Sequence, residues 1–173
     1  MIIKEVTQVG NPIIRARSKR VANFKDREVL KIVKDLTDSM RYHGLVGMAA
    51  PQIGTNLRIF VSEIASTKHR KPKELDKLRV FINPQITSFS KQKIDGYEGC
   101  GSVANSGLFG SVKRPDKVTV KAFDANGNLF ELKAKGLLAR IIQHEVDHLD
   151  GKVFLDILKD TKSLKSRSEY IKK

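Results

Sequence analysis

The stretch IIQHEVDHLDG, residues 141–151, places two histidines four residues apart. On a helix, side chains at that spacing lie one turn above each other, with Cβ atoms roughly 5–6 Å apart. His144 and His148 can then both bind one metal ion. Glu145 is rotated by about 100° from His144 and is the residue type that acts as a base beside such a pair. The alternative is that both histidines are ordinary core or solvated residues of a helix.

The residues around the histidines bear on this choice. Leu137 and Ile141 continue the histidine stripe toward the N-terminus of the helix and are core-type residues. We therefore expect the histidines to face the interior or the floor of a cleft. Asp147 precedes His148 and either orients an imidazole or belongs to a solvated helix face, which is the better account from sequence.

A third ligand is the deciding question, because a catalytic metal site usually has three protein ligands and one open position. No histidine follows the pair, and the only later glutamate is Glu169, which disfavours a metallopeptidase of the zincin type. Cys100, in YEGCGSV, remains: Gly99 and Gly101 allow close backbone approach, and a thiolate bound to a cation stays ionised. As alternatives, Cys100 is a buried structural thiol or a nucleophile paired with histidine.

Length and composition indicate one ordinary globular unit. The chain has 173 residues, 40% hydrophobic and 30% charged, which lies within the single-domain range of roughly 100–200 residues. We expect a single catalytic domain over residues 1–173.

The cysteine count and the apolar runs indicate the compartment. One cysteine excludes an intrachain disulfide and suits a reducing compartment. Apolar runs fall far short of the roughly 20 residues that span a membrane. The start MIIKEVTQVG lacks the features of a secretory signal or transit peptide. We expect a cytoplasmic protein with no membrane contact, or an organellar one only if a presequence was removed.

The charge balance is strongly basic. Lysine and arginine total 33 against 19 aspartate and glutamate, a formal net charge of +14, and such a field attracts polyanions such as RNA. Basic residues spread over the surface for solubility explain the same balance equally well.

Local patterns predict an α+β fold. Apolar spacing predicts a helix from Asp26 to His43 that stops at Gly44. LRIFVSE (57–63) and LRVFINPQI (78–86) are typical of strands, with a charged loop over 66–77 between them.

The second half of the chain predicts a hairpin and two helices. DANGN (124–128) supplies an Asn-Gly turn between alternating segments. A second helix follows Gly136, and the basic tail LKDTKSLKSRSEYIKK (158–173) predicts a third. The expected architecture is short antiparallel strands packed around a central metal-binding helix, with N-terminal and C-terminal helices.

Three motifs in order give the chain a family resemblance. GLVGMAAPQIG (44–54), EGCGSV (98–103) and QHEVDHLDG (143–151) together resemble peptide deformylase. The resemblance implies removal of the N-terminal formyl group from formyl-methionyl nascent polypeptides, with release of formate. It implies Fe²⁺, replaceable by Zn²⁺, Ni²⁺ or Co²⁺. The implied ligands are Cys100, His144 and His148.

The resemblance also assigns catalytic roles. A metal-bound water attacks the formyl carbon, with Glu145 as general base and then acid. The Gln52 side-chain amide and the Gly101 backbone N–H stabilise the oxyanion.

Further roles concern substrate binding and support of the site. Val46 and Gly47 are implied to bind the substrate main chain, and Leu137 and Ile141 to line the methionine pocket. The remaining implied supports are the paired side chains Glu98 and Arg114, which would steady the cysteine loop. The basic surface and the C-terminal tail suggest a ribosome or rRNA contact.

The chain departs from the common family pattern at three positions, and it also lacks an arginine that is often found soon after the second motif. Gly101 stands where leucine is common, Leu45 where glycine is common, and Arg140 where many bacterial members have an apolar residue. These departures resemble the divergent, mitochondrial-type branch. A rival function from another class is a basic RNA-binding module descended from a deformylase, against which intact Cys100, Glu145 and Gln52 argue.

Overall fold

The computed structural model describes residues 3–66, 71–72 and 74–172. The helices are α1 (Pro12–Arg15), α2 (Arg27–Tyr42), α3 (Gly136–Leu149) and α4 (Arg167–Tyr170). The strands are β1 (Gly47–Ala49), β2 (Ile59–Ile64), β3 (Asp76–Phe89), β4 (Lys93–Gly99), β5 (Leu108–Pro115), β6 (Lys117–Phe123), β7 (Leu129–Lys135) and β8 (Lys165–Ser166). Most of the predicted 66–77 loop, residues 67–70 and 73, lies outside the described residues.

The strands form two antiparallel sheets. The five-stranded sheet has the order β1-β2-β3-β6-β7, and the three-stranded sheet has the order β4-β5-β8. α3 contacts strands of both sheets. The predicted α+β class with a central helix is confirmed.

The apolar side of α3 packs on the five-stranded sheet. Its buried side chains from this side are Ala139, Ile142, Val146 and Leu149. They join Phe60, Phe81 and Val120 in one core cluster, with the rings of Phe60 and Phe81 stacked at 4.3 Å between centroids. Removal of this apolar surface from water is the main force that holds α3 in place.

The predicted helix over 26–43 is confirmed as α2. The Asp26 side chain accepts a hydrogen bond from the Glu28 N–H at 2.9 Å and caps the helix,. Gly44, with φ +66°, follows the helix in the left-handed conformation that glycine adopts without strain.

The predicted hairpin is confirmed as β6 and β7. Val118 lies opposite Ala134 in the register, and both point into the core. The Asp124 side chain accepts from the N–H groups of Asn126 and Asn128, both at 2.9 Å, so the turn is stabilised by a local side chain as well as by its Asn-Gly pair.

The predicted C-terminal helix is confirmed as α4, but it takes up only a small part of the tail. Its segment contains a 3₁₀ turn at Thr161–Ser163, then β8, and only the four residues of α4 are α-helical. β8 pairs with β5, and the Tyr170 ring stacks on Phe109 with 4.3 Å between centroids. These distant contacts outweigh the local helical spacing.

No helix among the described residues is both long and apolar enough to cross a membrane.

Candidate metal centre

Three donor side chains meet between β4 and α3. Cys100 directly follows the last residue of β4, and His144 and His148 project from one face of α3. The Cys100 Sγ lies 3.1 Å from the His148 Nε2. One ligand atom from each of the three residues lies within 4.8 Å of the other two. The structure therefore brings together the three ligands that the motifs indicated, in a donor set that suits zinc or iron.

The surroundings favour the metal-binding form of the cysteine. Cys100 is 2% exposed and His148 is fully buried. Burial acts to raise the pKa of the Cys100 thiol, but the His148 and His144 imidazoles outweigh it and hold that pKa well below its ordinary value. The thiolate is the form that binds metal ions.

Glu98 orients the first histidine. Its Oε2 lies 2.9 Å from the His144 Nδ1. Because Glu98 engages Nδ1, Nε2 is the ring nitrogen left for a metal ion. The indicated partner of Glu98 is in place, since Arg114 donates to both carboxylate oxygens at 2.6 and 2.9 Å. Burial acts to raise the pKa of Glu98, but the hydrogen bonds from His144 and Arg114 prevail and lower it.

Two charged residues of α3 join this network. Asp147 accepts from the Arg114 Nη1 at 2.7 Å, and its side chain is only 20% exposed, so the solvated helix face expected for Asp147 is wrong. Arg140 donates to the Glu98 Oε1 at 2.8 Å. Both contacts cross from α3 to β4 or β5, and no local pattern in the sequence indicated them.

Glu145 lies next to the donor cluster and against β1. It is 4% exposed, and no described residue donates a hydrogen bond to its Oε2. Burial raises the pKa of Glu145 to about 7. A Cβ atom on Gly47 would lie 2.9 Å from the Glu145 Cδ, so only glycine at position 47 leaves room for this carboxylate.

The Gln52 amide points toward the cysteine. Its Oε1 accepts from the Ala49 N–H at 2.8 Å, which fixes the orientation of the amide. Its Nε2 then lies 3.3 Å from the Ser102 Oγ and 3.9 Å from the Cys100 Sγ. Gln52 sits in a 3₁₀ turn that follows β1 and is 2% exposed.

The loop at Gly101 is tightly filled although it lacks a side chain there. A Cβ on Gly101 would lie 3.1 Å from the Leu45 Cδ1 and 3.2 Å from the Val6 Cγ1. Leu45 thus occupies part of the space that a side chain at position 101 would need. Gln8 also stabilises this loop, which sequence reasoning missed. Its side chain donates to the Gly101 carbonyl at 2.9 Å and accepts from the Asn105 N–H at 3.0 Å.

β1 is an edge strand of its sheet. The Val46 carbonyl accepts from the Glu63 N–H at 3.0 Å and is engaged with β2. Because main-chain groups alternate in direction along a strand, those of Gly47 point away from β2. Of the two residues indicated for main-chain binding, Gly47 is the one directed to the open edge.

The two residues indicated for a side-chain pocket differ in exposure. Ile141 is 4% exposed and Leu137 is 44% exposed. The expectation that Leu137 belongs to the helix core is wrong, because this residue of the first turn of α3 is exposed.

Comparisons with known proteins identify the family of the chain. The profile of the polypeptide deformylase family matches residues 3–164. A peptide deformylase of Dictyoglomus thermophilum is 41% identical over 155 residues, covering 90% of this chain and 92% of that protein.

Solved structures agree as well. A peptide deformylase from Legionella pneumophila superposes with a TM-score of 0.82 at 38% identity, covering 94% of this chain and 89% of that one. A class I type b peptide deformylase from Acinetobacter baumannii with Met-Ala-Ser bound has a TM-score of 0.85 at 28% identity, covering 91% of this chain and 99% of that one. The sequence, the fold and the Cys-His-His cluster thus lead to one conclusion: the chain belongs to the polypeptide deformylase family.

Proposed function

We propose that this chain is a metal-dependent hydrolase that removes the formyl group from formyl-methionyl nascent polypeptides, with Cys100, His144 and His148 as ligands of one divalent ion. Family membership supports the reaction. One sulfur and two imidazoles meet beside a buried carboxylate oxygen that has no hydrogen-bond partner among the described residues, and this observation carries the proposal.

The donor set fits a divalent transition metal. Thiolate and imidazole ligands suit Fe²⁺, Zn²⁺, Ni²⁺ and Co²⁺, and we propose Fe²⁺ as the resident ion. When bound, such an ion supplies Lewis-acid chemistry, which lowers the pKa of a coordinated water and polarises the substrate carbonyl.

Glu145 moves the proton in this proposal. A pKa of about 7 allows its carboxylate to accept a proton from water and to return that proton to the leaving amine at neutral pH. Its buried Oε2 accepts no hydrogen bond from any described residue, so it is available for this exchange.

Gln52 and Gly101 stabilise the oxyanion in this proposal. The Gln52 amide is held by Ala49 with its N–H groups directed at the cysteine, and the backbone N–H of Gly101 lies on the adjoining loop. Each donor aimed at a developing oxyanion is worth roughly 2.7–4 kcal/mol in the transition state.

The substrate main chain adds to the open edge of β1. Gly47 directs its main-chain groups there, and this mode of addition reads backbone rather than side chains. Leu137 and Ile141 line the pocket for the methionine side chain, for which the exposed Leu137 is accessible. The Met-Ala-Ser bound to the Acinetobacter baumannii enzyme is a tripeptide of the length that such an edge accommodates.

A ribosome contact is a finer proposal that rests on charge. The tail carries Arg167 and Lys172 on exposed positions, within a chain of net charge +14. Co-sedimentation with ribosomes is expected to weaken steeply between 50 and 200 mM salt. Salt-insensitive or absent binding would remove this part of the proposal. Action in the cytoplasm stays a prediction.

Formate release from formyl-Met-Ala-Ser by anaerobically purified, Fe²⁺-loaded protein tests the function. We expect Glu145→Gln to lower turnover by about 10²–10⁴-fold while the ion is retained, because Glu145 is not a ligand. Glu131→Gln, at an exposed strand position, is the matched control and should leave turnover unchanged. Full turnover by Glu145→Gln would remove the base assignment, and cleavage of internal peptide bonds without formate would favour a metallopeptidase.

A further inference from the structure

Arg140 is a buried arginine of α3 whose two terminal nitrogens contact four acceptors on β4 and β5. It is 9% exposed. Its nitrogens donate to the carbonyls of Ile94 at 2.9 Å, Gly96 at 3.3 Å and Val112 at 2.8 Å, and to the Glu98 Oε1 at 2.8 Å. One side chain thus ties α3 to both β4 and β5.

The hairpin is shaped to receive this guanidinium. Gly96 and Val112 lie directly opposite each other in the β4–β5 register, and Arg140 bonds the carbonyls of both. A Cβ on Gly96 would lie 2.8 Å from the Arg140 Cζ. Glycine at position 96 therefore provides the space that the guanidinium fills. Glu98, two residues further along β4, projects from the same face of the strand.

Both oxygens of Glu98 accept from Arg114, and each oxygen has one further partner. Oε1 accepts from the Arg114 Nε at 2.6 Å and from the Arg140 Nη1 at 2.8 Å. Oε2 accepts from the Arg114 Nη2 at 2.9 Å and lies 2.9 Å from the His144 Nδ1. Arg114 alone already supplies a counter-charge to Glu98. The second arginine adds a contact from α3 itself to Oε1, and so links the position of the Glu98 carboxylate on β4 to the helix that carries His144.

We propose that Arg140 is a positioning residue for the metal centre: it holds Glu98 so that Oε2 meets the His144 Nδ1 and directs the His144 Nε2 at the ion. This inference rests on the proposed metal site and deepens it. Partners of metal-bound histidines of this kind typically contribute about 10–100-fold to metal affinity.

Arg58 provides a matched control. It is also a partly buried arginine that bonds main-chain carbonyls, those of Pro84 at 3.2 Å and Leu149 at 3.4 Å, and one carboxylate, that of Asp150 at 2.7 Å. None of these contacts reaches a donor side chain of the metal site. Replacing Arg58 therefore removes a comparable set of structural hydrogen bonds without releasing Glu98.

Titration of the metal-free full chain with Co²⁺, followed by visible absorption, is the test. We expect Arg140→Leu to weaken Co²⁺ binding by about 10–100-fold and to alter the absorption bands of the bound ion. Arg58→Leu should lower the thermal midpoint without changing either quantity. In a Glu98→Gln background, Arg140→Leu should add less than about twofold, since the two residues act through one contact.

Gly96→Ala tests the same point with Arg140 retained. The added methyl group displaces the flexible tip of Arg140, so it should reproduce the weaker Co²⁺ binding, and it serves where Arg140→Leu does not fold. The inference is overturned if Arg140→Leu leaves the Co²⁺ affinity and spectrum unchanged, or if Gly96→Ala does so where Arg140→Leu does not fold. Equal losses of Co²⁺ affinity in the native and Glu98→Gln backgrounds would also overturn it. A native chain that binds no Co²⁺ would instead overturn the proposed metal site.

Discussion

The two sides of α3 are held by different forces. Toward the five-stranded sheet, Ile142, Val146 and Leu149 pack among aromatic and aliphatic side chains. Toward the three-stranded sheet, Arg140 and Asp147 join a buried ionic cluster with residues of β4 and β5.

The two sides differ in how strictly their contacts depend on geometry. Apolar packing is non-directional and tolerates exchange of side chains of similar volume. Buried charges require fixed partners, because an unpaired charge in the interior is costly. The apolar side therefore mainly keeps α3 folded onto its sheet, whereas the ionic side determines where His144 and Cys100 stand relative to each other.

The largest effect is expected from removing the shared carboxylate. Among the described residues, Glu98→Ala leaves Arg140 without a carboxylate partner and Arg114 with Asp147 as its remaining one. We expect a loss of about 3–5 kcal/mol in the free energy of unfolding, measured by urea denaturation, together with weaker metal binding. A loss below about 1 kcal/mol, the range of exposed pairs, would show that the buried ion pairs contribute little to the free energy of unfolding.

A smaller effect is expected from adding volume to the cysteine loop. Gly101→Leu should cost about 1–3 kcal/mol, because Leu45 and Val6 already occupy the adjoining space. Combining it with Leu45→Gly should restore most of the stability, as measured by thermal unfolding. A double variant no more stable than Gly101→Leu alone would show that the two positions do not compensate.

The apolar side should respond mildly to a conservative change. Ile142 is fully buried, and Ile142→Val should cost about 0.5–1.5 kcal/mol of stability. Metal affinity of the folded protein should stay at the native value. A marked change in metal affinity would mean that the two sides of α3 are not separable.

The smallest effect is expected at an exposed ion pair. Arg41 donates to both oxygens of Glu63 at 2.7 and 2.8 Å, and this contact lowers the pKa of Glu63 below its ordinary value of 4.5. The Glu63 carboxylate therefore stabilises the fold above that value, and the contribution is lost as the pH falls through the lowered pKa.

Glu63→Gln should cost less than about 1 kcal/mol at pH 7, measured by thermal unfolding. The difference from the native chain should shrink in acid. A difference that grows as the pH falls would contradict this account.

Local patterns predicted the elements whose stability is local. α2 and the β6–β7 hairpin follow from apolar spacing, a cap and an Asn-Gly turn, all within short stretches of chain. The donor residues were predicted as well, since two of them share one helix face and the third is the only cysteine.

Features that depend on distant partners were not predicted. Arg140 donates to carbonyls 28 and 46 residues away in sequence. The local sequence therefore did not indicate that this charged side chain is buried. Asp147 was misjudged for the same reason, and the tail was predicted as helix because its pairing with β5 is invisible locally. The mitochondrial-type branch inferred from Leu45, Gly101 and Arg140 is a finer prediction that family membership does not test.

The stacking of Tyr170 on Phe109 has a consequence for synthesis of the chain. Tyr170 stacks on Phe109, and the Phe109 ring lies against Gly99, the residue before Cys100. Translation runs from the N-terminus, so all three donor residues leave the ribosome before this aromatic support does. The loop that carries the Cys100 sulfur therefore gains the support of Tyr170 only after Cys100, His144 and His148 have all been synthesised.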